Sequence, residues 1–301
     1  GFARVVRLEH AALQAQSADV SRGASVGAWG ALIVPSAEGE VAWRGAARCA
    51  ARLRSCAAAS TFETALTHGV YVITGGLGGL GLRAASLLVE GGGSGVVLAS
   101  RSGRVGRDGQ GLEARLRLLG AAVQVMASDV GDAIDGFCLL TSAALSGVLH
   151  AAGVLRDQIL RSMAAADLDA SFAPKAIAVS HVDSSVARMP LEALCLFSSV
   201  ASTFGNIGQA NYAAANAYLD SLASSRRLHG IFGSSLQIPA VSGAGMGAST
   251  FDKEQLDAMG GISLDEFARC LGSLLAPARA VVECTSSPLT LGVLETMSRN
   301  V

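Results

Sequence analysis

Lysine is almost missing from this chain. Of its 23 basic residues only Lys175 and Lys253 are lysines, and the rest are arginines, so each lysine is a position to examine. Charge of either sign is scarce too: 16% of the 301 residues are charged, and the net charge is -1. Without a basic surplus there is no electrostatic footprint for nucleic acid or an anionic membrane, and neither is expected as a partner. The six cysteines (Cys49, Cys56, Cys138, Cys195, Cys270 and Cys284) form no C-x-x-C pair and no metal-like spacing. Buried, reduced thiols and no metal are expected. An initiator Met and a basic, apolar leader are both absent. That reads as a cytoplasmic protein, or one of an organellar lumen if a targeting segment has been removed. Two stretches lack charge, 193–219 and 228–251, but both carry Asn, Gln, Ser, Gly or Pro. A lipid-facing helix would not tolerate them, so no membrane span is expected. No internal repeat stands out.

What is present is a large hydrophobic half, 50% of the residues, enough for one large core or two modest ones. From residue 70 onward, strand-like and helix-like segments alternate. Residues 70–73 form a short apolar run read as a buried strand, and an amphipathic stretch covers 82–90 before Gly91-Gly92-Gly93 ends it. Residues 96–99, 123–126, 147–150 and 193–197 read as further strands, and 112–119 as a helix. This rhythm predicts an α/β fold: a Rossmann-like, doubly wound parallel sheet with helices on both faces. Ligands of such sheets bind at the carboxyl ends of the strands, near the topological switch point. Residues 1–66 lack this rhythm. A helix end at 4–10, a strand at 31–34 and another at 41–44 make no complete unit. That segment is expected to pack on a main domain spanning 67–301, as the remnant of something larger.

Thr74-Gly75-Gly76-Leu77-Gly78-Gly79-Leu80-Gly81 lies between a predicted strand and a predicted helix. It fits G-x-G-x-x-G through Gly76, Gly78 and Gly81, and T-G-x-x-x-G-x-G through Gly75, Gly79 and Gly81. Glycines let a backbone turn tightly and approach a pyrophosphate, and the helix N-terminus supplies free N–H groups. A flexible loop also carries glycines; the strand–turn–helix context is what points to a dinucleotide. The next strand ends at Ser100-Arg101, where the adenosine ribose is met. An acidic residue there suits NAD, whereas arginine suits a 2′-phosphate, so NADPH is the expected cofactor, with Arg104 a second contact. Asp129-Val130 follow the third strand, where they could cap the adenine. His150-Ala151-Ala152-Gly153 close the fourth with small residues where a cofactor passes, although His150 could simply be packed there.

Ser199 ends the strand at 193–197. Tyr212 lies thirteen residues beyond it, Asn216 four beyond that, and Lys175 lies 24 before Ser199. Tyr212 and Asn216 share a helix face at i, i+4, on a run of alanines that favours the helix. Reducing a ketone requires, besides hydride, a donor to polarise the carbonyl, a proton for the alkoxide, and a means of adjusting the donor. Ser199 could bond the carbonyl oxygen and Tyr212 could give the proton. A phenol titrates near 10, so a nearby cation such as Lys175 would help it at neutral pH. Lys175 could also bind the nicotinamide ribose, and Asn216 could hold a relaying water. Each residue alone is ordinarily structural; the joint spacing is the signal.

The run 71–101, the segment 150–153, and Phe197-Ser198-Ser199 with Gly208-Gln209-Ala210-Asn211-Tyr212-Ala213-Ala214-Ala215-Asn216 resemble the ketoreductase domains of modular, type I polyketide synthases. These belong to the short-chain dehydrogenase/reductase superfamily. In that family the lysine lies upstream of the serine and asparagine takes the place after the tyrosine, as Lys175 and Asn216 do. The resemblance covers roughly 70–250. It implies Lys175, Ser199, Tyr212 and Asn216 as a catalytic tetrad. It implies reduction of a β-ketoacyl thioester carried on the phosphopantetheine of an acyl carrier protein, with the other domains of a multidomain synthase as partners. Residues 4–10 and 41–45 resemble the end of the structural subdomain that precedes such domains, truncated here. Two short fingerprints bear on stereochemistry. One type has tryptophan eight residues before the tyrosine, where this chain has Phe204. The other has Leu-Asp-Asp, where it has Leu155-Arg156-Asp157. With Gln209 and Met246, these residues are the expected stereocontrol set, and a B-type, D-hydroxy product is expected. Ala214 instead of proline argues against an epimerising subtype. The lid departs from the family: Gln237-Ile238-Pro239-Ala240-Val241 and Gly243-Ala244-Gly245-Met246 lack its tryptophans, though the glycines suit a mobile loop. A fatty-acid-synthase type 3-oxoacyl reductase, a catalytically silent reductase-fold domain and an NADP-sensing regulator are the alternatives. A free-standing reductase would carry Tyr-x-x-x-Lys, which is absent.

Overall fold

The computed structural model describes residues 1–21, 38–52, 69–106, 110–250, 252, 254, 256, 260–275 and 285–286. The expected strand at 31–34, Lys253, Cys56 and Cys284 lie outside these.

The chain opens with helix α1 (Phe2–Glu9), as the sequence predicts, and a small sheet follows. Its strands are β1 (Ser17–Val20), β2 (Glu40–Arg44) and β3 (Ala47–Cys49), with β1 parallel and β3 antiparallel to β2. Only β2 was legible beforehand. None of the three strands has a fully buried residue, so this sheet has no core of its own.

The main sheet has seven strands, all parallel. β4 (Val70–Thr74) leads into α2 (Gly79–Glu90), then β5 (Gly95–Ser100), α3 (Leu112–Leu119) and β6 (Val123–Ala127). The chain then crosses back through α4 (Ala133–Thr141) to β7 (Leu145–His150). Next come α5 (Ala165–Phe172), a π-helical turn at Ala173–Ile177, α6 (Ala178–Val186) and β8 (Ala193–Ser199). The short α7 (Ala201–Phe204) and long α8 (Ala210–Leu228) precede β9 (Ser234–Ile238). α9 (Met246–Thr250), α10 (Leu264–Leu275) and the two-residue β10 (Thr285–Ser286) follow. The strand order is β10-β9-β8-β7-β4-β5-β6. The order reverses between β4 and β7, and that is the switch point.

Side chains alternate across a strand, so each central strand feeds two cores. Tyr71, Ile73, Leu98, Cys195 and Phe197 pack with α2 and α10 on one face, and Phe197 meets Phe267 edge-on at 5.5 Å. Val72, Val97, Val148, Leu194 and Leu196 pack with α4, α6 and α8 on the other. Burying one such side chain contributes roughly 1.5–3 kcal/mol. The runs read as near-continuous apolar sequence because they are covered on both faces. β6, at the sheet's edge, is not: it exposes Gln124, Val125 and Ala127.

The cysteines correct one expectation. Cys195 is buried and its thiol is pushed up to about 12 by desolvation, but Cys49 and Cys138 are exposed. Cys49 ends the coreless small sheet, and Cys138 points outward from α4. No helix among the described residues is long and apolar enough to cross a membrane.

Candidate active site

The glycine turn leaves β4 at the switch point. Thr74 and His150 are register partners across β4 and β7, and Thr74 Oγ1 lies 2.7 Å from His150 Nδ1. His150 is fully buried, and desolvation drops its pKa to about 3, which keeps the ring neutral. Gly75 has φ +67°, and a Cβ there would stand 2.7 Å from the Ala152 backbone. Positive φ and this close approach both require glycine. The turn and the segment 150–153 therefore form one packed wall. Gly78 caps α2 without a side-chain hydrogen bond. The first-turn N–H groups of α2 remain available to an anion.

That wall bounds a cleft of about 610 Å³ lined by Gly75, Leu77, Gly78, Gly79, Leu80, Gly81, Ser100, Arg101, Arg104, Ala151, Ala152, Gly153 and Met246. Ser100 Oγ accepts from Gly103 N at 3.1 Å and Ser102 Oγ from Arg104 N at 3.3 Å, which shapes the loop that carries both arginines to the rim. Thr74, Gly76 and His150 stand behind the wall. Asp129 and Val130 do not line this cleft: Asp129 Oδ1 accepts from Gly131 N at 3.0 Å, and Val130 is in the core. An uncapped helix start, a backbone-lined trough and two rim arginines fit an extended, phosphate-bearing dinucleotide.

Gln110 also lines the cleft, and nothing in the sequence pointed to it. Its Nε2 donates to Gly245 O and its Oε1 accepts from Gly245 N, both at 3.1 Å. The partner lies 135 positions away, so no local pattern could reveal it.

The four spaced residues converge beside this trough. Lys175, on the π-helical turn, is 3% exposed. Its Nζ donates to Phe197 O at 2.9 Å and stands 5.4 Å from the centre of the Tyr212 ring. A Cβ on Gly153 would come within 2.9 Å of Lys175 Cε, so a larger residue there would push the end of the lysine aside. Ser199 ends β8, with its Oγ accepting from Ala201 N at 3.2 Å. Tyr212 and Asn216 occupy the buried face at the start of α8. Asn216 Nδ2 donates to Tyr212 O at 2.9 Å, while its Oδ1 is buried with no hydrogen-bond partner among the described residues.

Burial decides the electrostatics here. Desolvation lowers Lys175 to about 8, with the Asp220 carboxylate opposing it. Tyr212 is raised by desolvation, and hydrogen bonds from Asn216 and Ser199 offset part of that. Burial thus outweighs these bonds and favours the protonated phenol.

The stereocontrol candidates fall at one end of this group. Gln209 Nε2 donates to Asp157 Oδ2 at 2.9 Å. Leu155 and Met246 pack against the buried cluster that contains Tyr212, and Phe204 is buried at the end of α7. Two further carboxylates escaped sequence reasoning. Asp220, one turn beyond Asn216, accepts from Ser202 Oγ at 2.6 Å, Gln237 Nε2 at 2.9 Å and Ser235 Oγ. Glu9 of α1 accepts from Leu160 N at 2.7 Å and Gly208 N at 2.8 Å. The i, i+4 step from Asn216 could have flagged Asp220; Glu9 gave no signal.

A family model described as the KR domain matches residues 69–243. Among curated proteins, the chain is 38% identical to polyketide synthase GfsA of Streptomyces halstedii over 213 residues, which is 69% of this chain and 3% of that protein. It is 38% identical over 226 residues to the spectinabilin polyketide synthase system protein NorB of Streptomyces orinoci, 71% of this chain and 10% of that protein. Among solved structures, one titled as A-type ketoreductases from a modular polyketide synthase superposes with a TM-score of 0.84 at 31% identity, covering 96% of this chain and 62% of that one. Another, titled as an A1-type ketoreductase, gives 0.86 at 30% identity, covering 99% and 65%. The chain thus spans a small part of these curated relatives and under two thirds of these solved chains.

Proposed function

The chain belongs to the KR-domain family, the ketoreductases of type I polyketide synthases within the short-chain dehydrogenase/reductase superfamily, and from that premise we propose that it uses NADPH to reduce a β-ketoacyl thioester on an acyl carrier protein. The observation that carries this reading is the convergence of Lys175, Ser199, Tyr212 and Asn216 on one side of the glycine-walled cleft. Residues 74–81 and 150–153, with Ser100 and Arg101, would hold the cofactor. Arg101 and Arg104, on a rim whose described lining residues include no acid, favour a 2′-phosphate over a free hydroxyl. Bound there, the reduced nicotinamide supplies hydride to the ketone carbon.

The chain's own residues complete the reaction. Ser199 hydrogen-bonds the carbonyl oxygen, and the Tyr212 phenol delivers its proton to that oxygen as negative charge develops. Lys175 stabilises the resulting phenolate and contacts the nicotinamide ribose. Asn216, with a buried carbonyl oxygen left over, holds a water that relays a proton back to the tyrosine. We further propose that residues 1–66 are the remnant of a structural subdomain and 67–301 the catalytic domain, within a larger synthase. Asp129-Val130 is retained as a contact to the adenine edge beyond the cleft. Asp157, Leu155 and Phe204 support a D-hydroxy product; the likeness to structures titled A-type is the opposing consideration.

The test is NADPH oxidation with a β-ketoacyl thioester, followed by chiral analysis of the product. NADPH consumption with a D-3-hydroxyacyl product supports the reading. The L isomer overturns the stereochemical part alone. No turnover from folded protein favours a silent reductase-fold domain.

A further inference from the structure

Helix α1 belongs to the coreless N-terminal segment, yet it grips the catalytic half. Val5 is fully buried in a cluster with Tyr212 and Ala213. Arg4 Nη1 donates to Ser202 O, and Arg4 and Leu8 pack against Gly205. Arg4 and Arg7 both pair with Glu40 on β2, which fixes the helix to the small sheet. At the C-terminal end of α1, Glu9 spreads its two oxygens over two separate loops: Oε2 accepts from Leu160 N at 2.7 Å and Oε1 from Gly208 N at 2.8 Å. The same loops are also joined directly, where Gln158 N donates to Gly208 O at 2.8 Å and Gln209 Nε2 to Asp157 Oδ2 at 2.9 Å.

These two loops are the ones that carry the substrate-facing candidates. Leu155 and Asp157 lie on the first; Phe204 and Gln209 flank the second. One carboxylate therefore bridges the gap between them, through two charge-assisted bonds to backbone amides that add to the direct ones. We propose that Glu9 is a positioning residue for substrate orientation, so that the N-terminal segment helps determine which face of the ketone is reduced. Glu9 touches neither substrate nor cofactor in this role. Its effect passes through the spacing of the loops. The proposal rests on the ketoreductase reading above.

The experiment compares the full chain with E9Q, which keeps the side chain's size but leaves one acceptor oxygen, and with E9D, which keeps both oxygens on a shorter arm. Three quantities are read: amide hydrogen exchange at Gln158, Leu160 and Gly208, whose N–H groups are all hydrogen-bonded; the enantiomer ratio and KM with a 3-oxoacyl N-acetylcysteamine thioester; and turnover of cyclohexanone, which gives an achiral product. In E9Q, exchange at Leu160 and Gly208 should quicken roughly tenfold, the change expected from losing about one charge-assisted bond. Exchange at Gln158, whose N–H donates to Gly208 O across the two loops, should quicken too. The minor enantiomer and KM should rise by a similar factor, with cyclohexanone turnover within about twofold and E9D intermediate. Equal losses on both ketones, following the fall in Tm, would make Glu9 merely structural and overturn the proposal, as would an unchanged enantiomer ratio. If E9Q does not fold, E9D carries the same readouts. If the unaltered chain reduces no thioester, the ketoreductase reading fails; unchanged exchange at Gln158, Leu160 and Gly208 in E9Q would then overturn the Glu9 proposal separately.

Discussion

The proposed cofactor wall of the cleft and the proposed proton-transfer cluster beside it are made of opposite materials. The cofactor wall is backbone: Gly75 and its neighbours present N–H groups and bare Cα atoms, and its exactness lies in atoms that are absent. The second is side chain: Lys175, Ser199, Tyr212 and Asn216 are all at most 9% exposed, and its proposed function lies in charges and hydroxyls held in a low dielectric. The first wall should be injured by adding atoms, the second by removing them. Errors in the first should appear in folding and cofactor affinity, and errors in the second in rate.

The sharpest break of this contrast is Tyr212→Phe, which removes one oxygen. Turnover should fall by about 10³-fold, within the range for losing a general acid, with NADPH affinity changed less than about twofold. Stopped-flow turnover and fluorescence titration check both halves. Gly75→Ala adds one carbon, at φ +67° and 2.7 Å from Ala152. It should cost about 3 kcal/mol of stability, from left-handed strain plus the clash, and weaken NADPH binding. Urea unfolding and titration measure these. A stable Gly75→Ala protein with lowered rate alone would break the comparison.

Two smaller effects sharpen it. Arg101→Ala should raise the Kd for NADPH roughly tenfold and leave that for NADH nearly unchanged, since only a charge-assisted contact to a 2′-phosphate is lost. Calorimetric titration with both cofactors decides. The pH response separates rate from stability. Lys175 titrates near 8 when folded and has an ordinary value of 10.5. Between these values the unfolded chain holds a proton that the folded one has lost, so this group's contribution to stability rises with pH across that window. Its ammonium disappears over the same window, so reduction should slow as pH passes about 8. Rate and urea midpoint should diverge in direction from pH 7.5 to 9.5; rates that rise through pH 8 would refute the role of the charged lysine.

The walls also differ in how well they could be read from sequence. Strands at 70–74, 95–100 and 193–199 were legible because parallel strands covered on both faces are apolar at nearly every position. The glycine turn was legible because its chemistry is local. The tetrad was legible as spacing on one strand end and one helix face. The rest depended on distant partners. The clasp of Gln110 on Gly245 and the clamp of Glu9 on Leu160 and Gly208 join positions over a hundred residues apart, and no short pattern encodes them. The burial that raises the phenol was out of reach for a related reason: it is a property of the assembled site, whereas a neighbouring cation can be guessed from composition. β1 and β3 were missed because an exposed, coreless sheet has no hydrophobic period to detect.

The helical rod from Ala165 to Val186 changes gauge at Ala173–Ile177, where its hydrogen bonds reach one residue further. One extra residue turns everything beyond it by about 100° relative to an unbroken α-helix. Lys175 sits inside that phase shift, and the row Val179, Val182 and Val186 that seals the second core lies after it. The two are thus kept in separate frames by a single inserted position. A one-residue deletion between 173 and 177 would merge the frames. The rod could then aim its ammonium at the tyrosine or its valines at the sheet, but not both, so the length of this segment is as strictly fixed as the identity of the lysine within it.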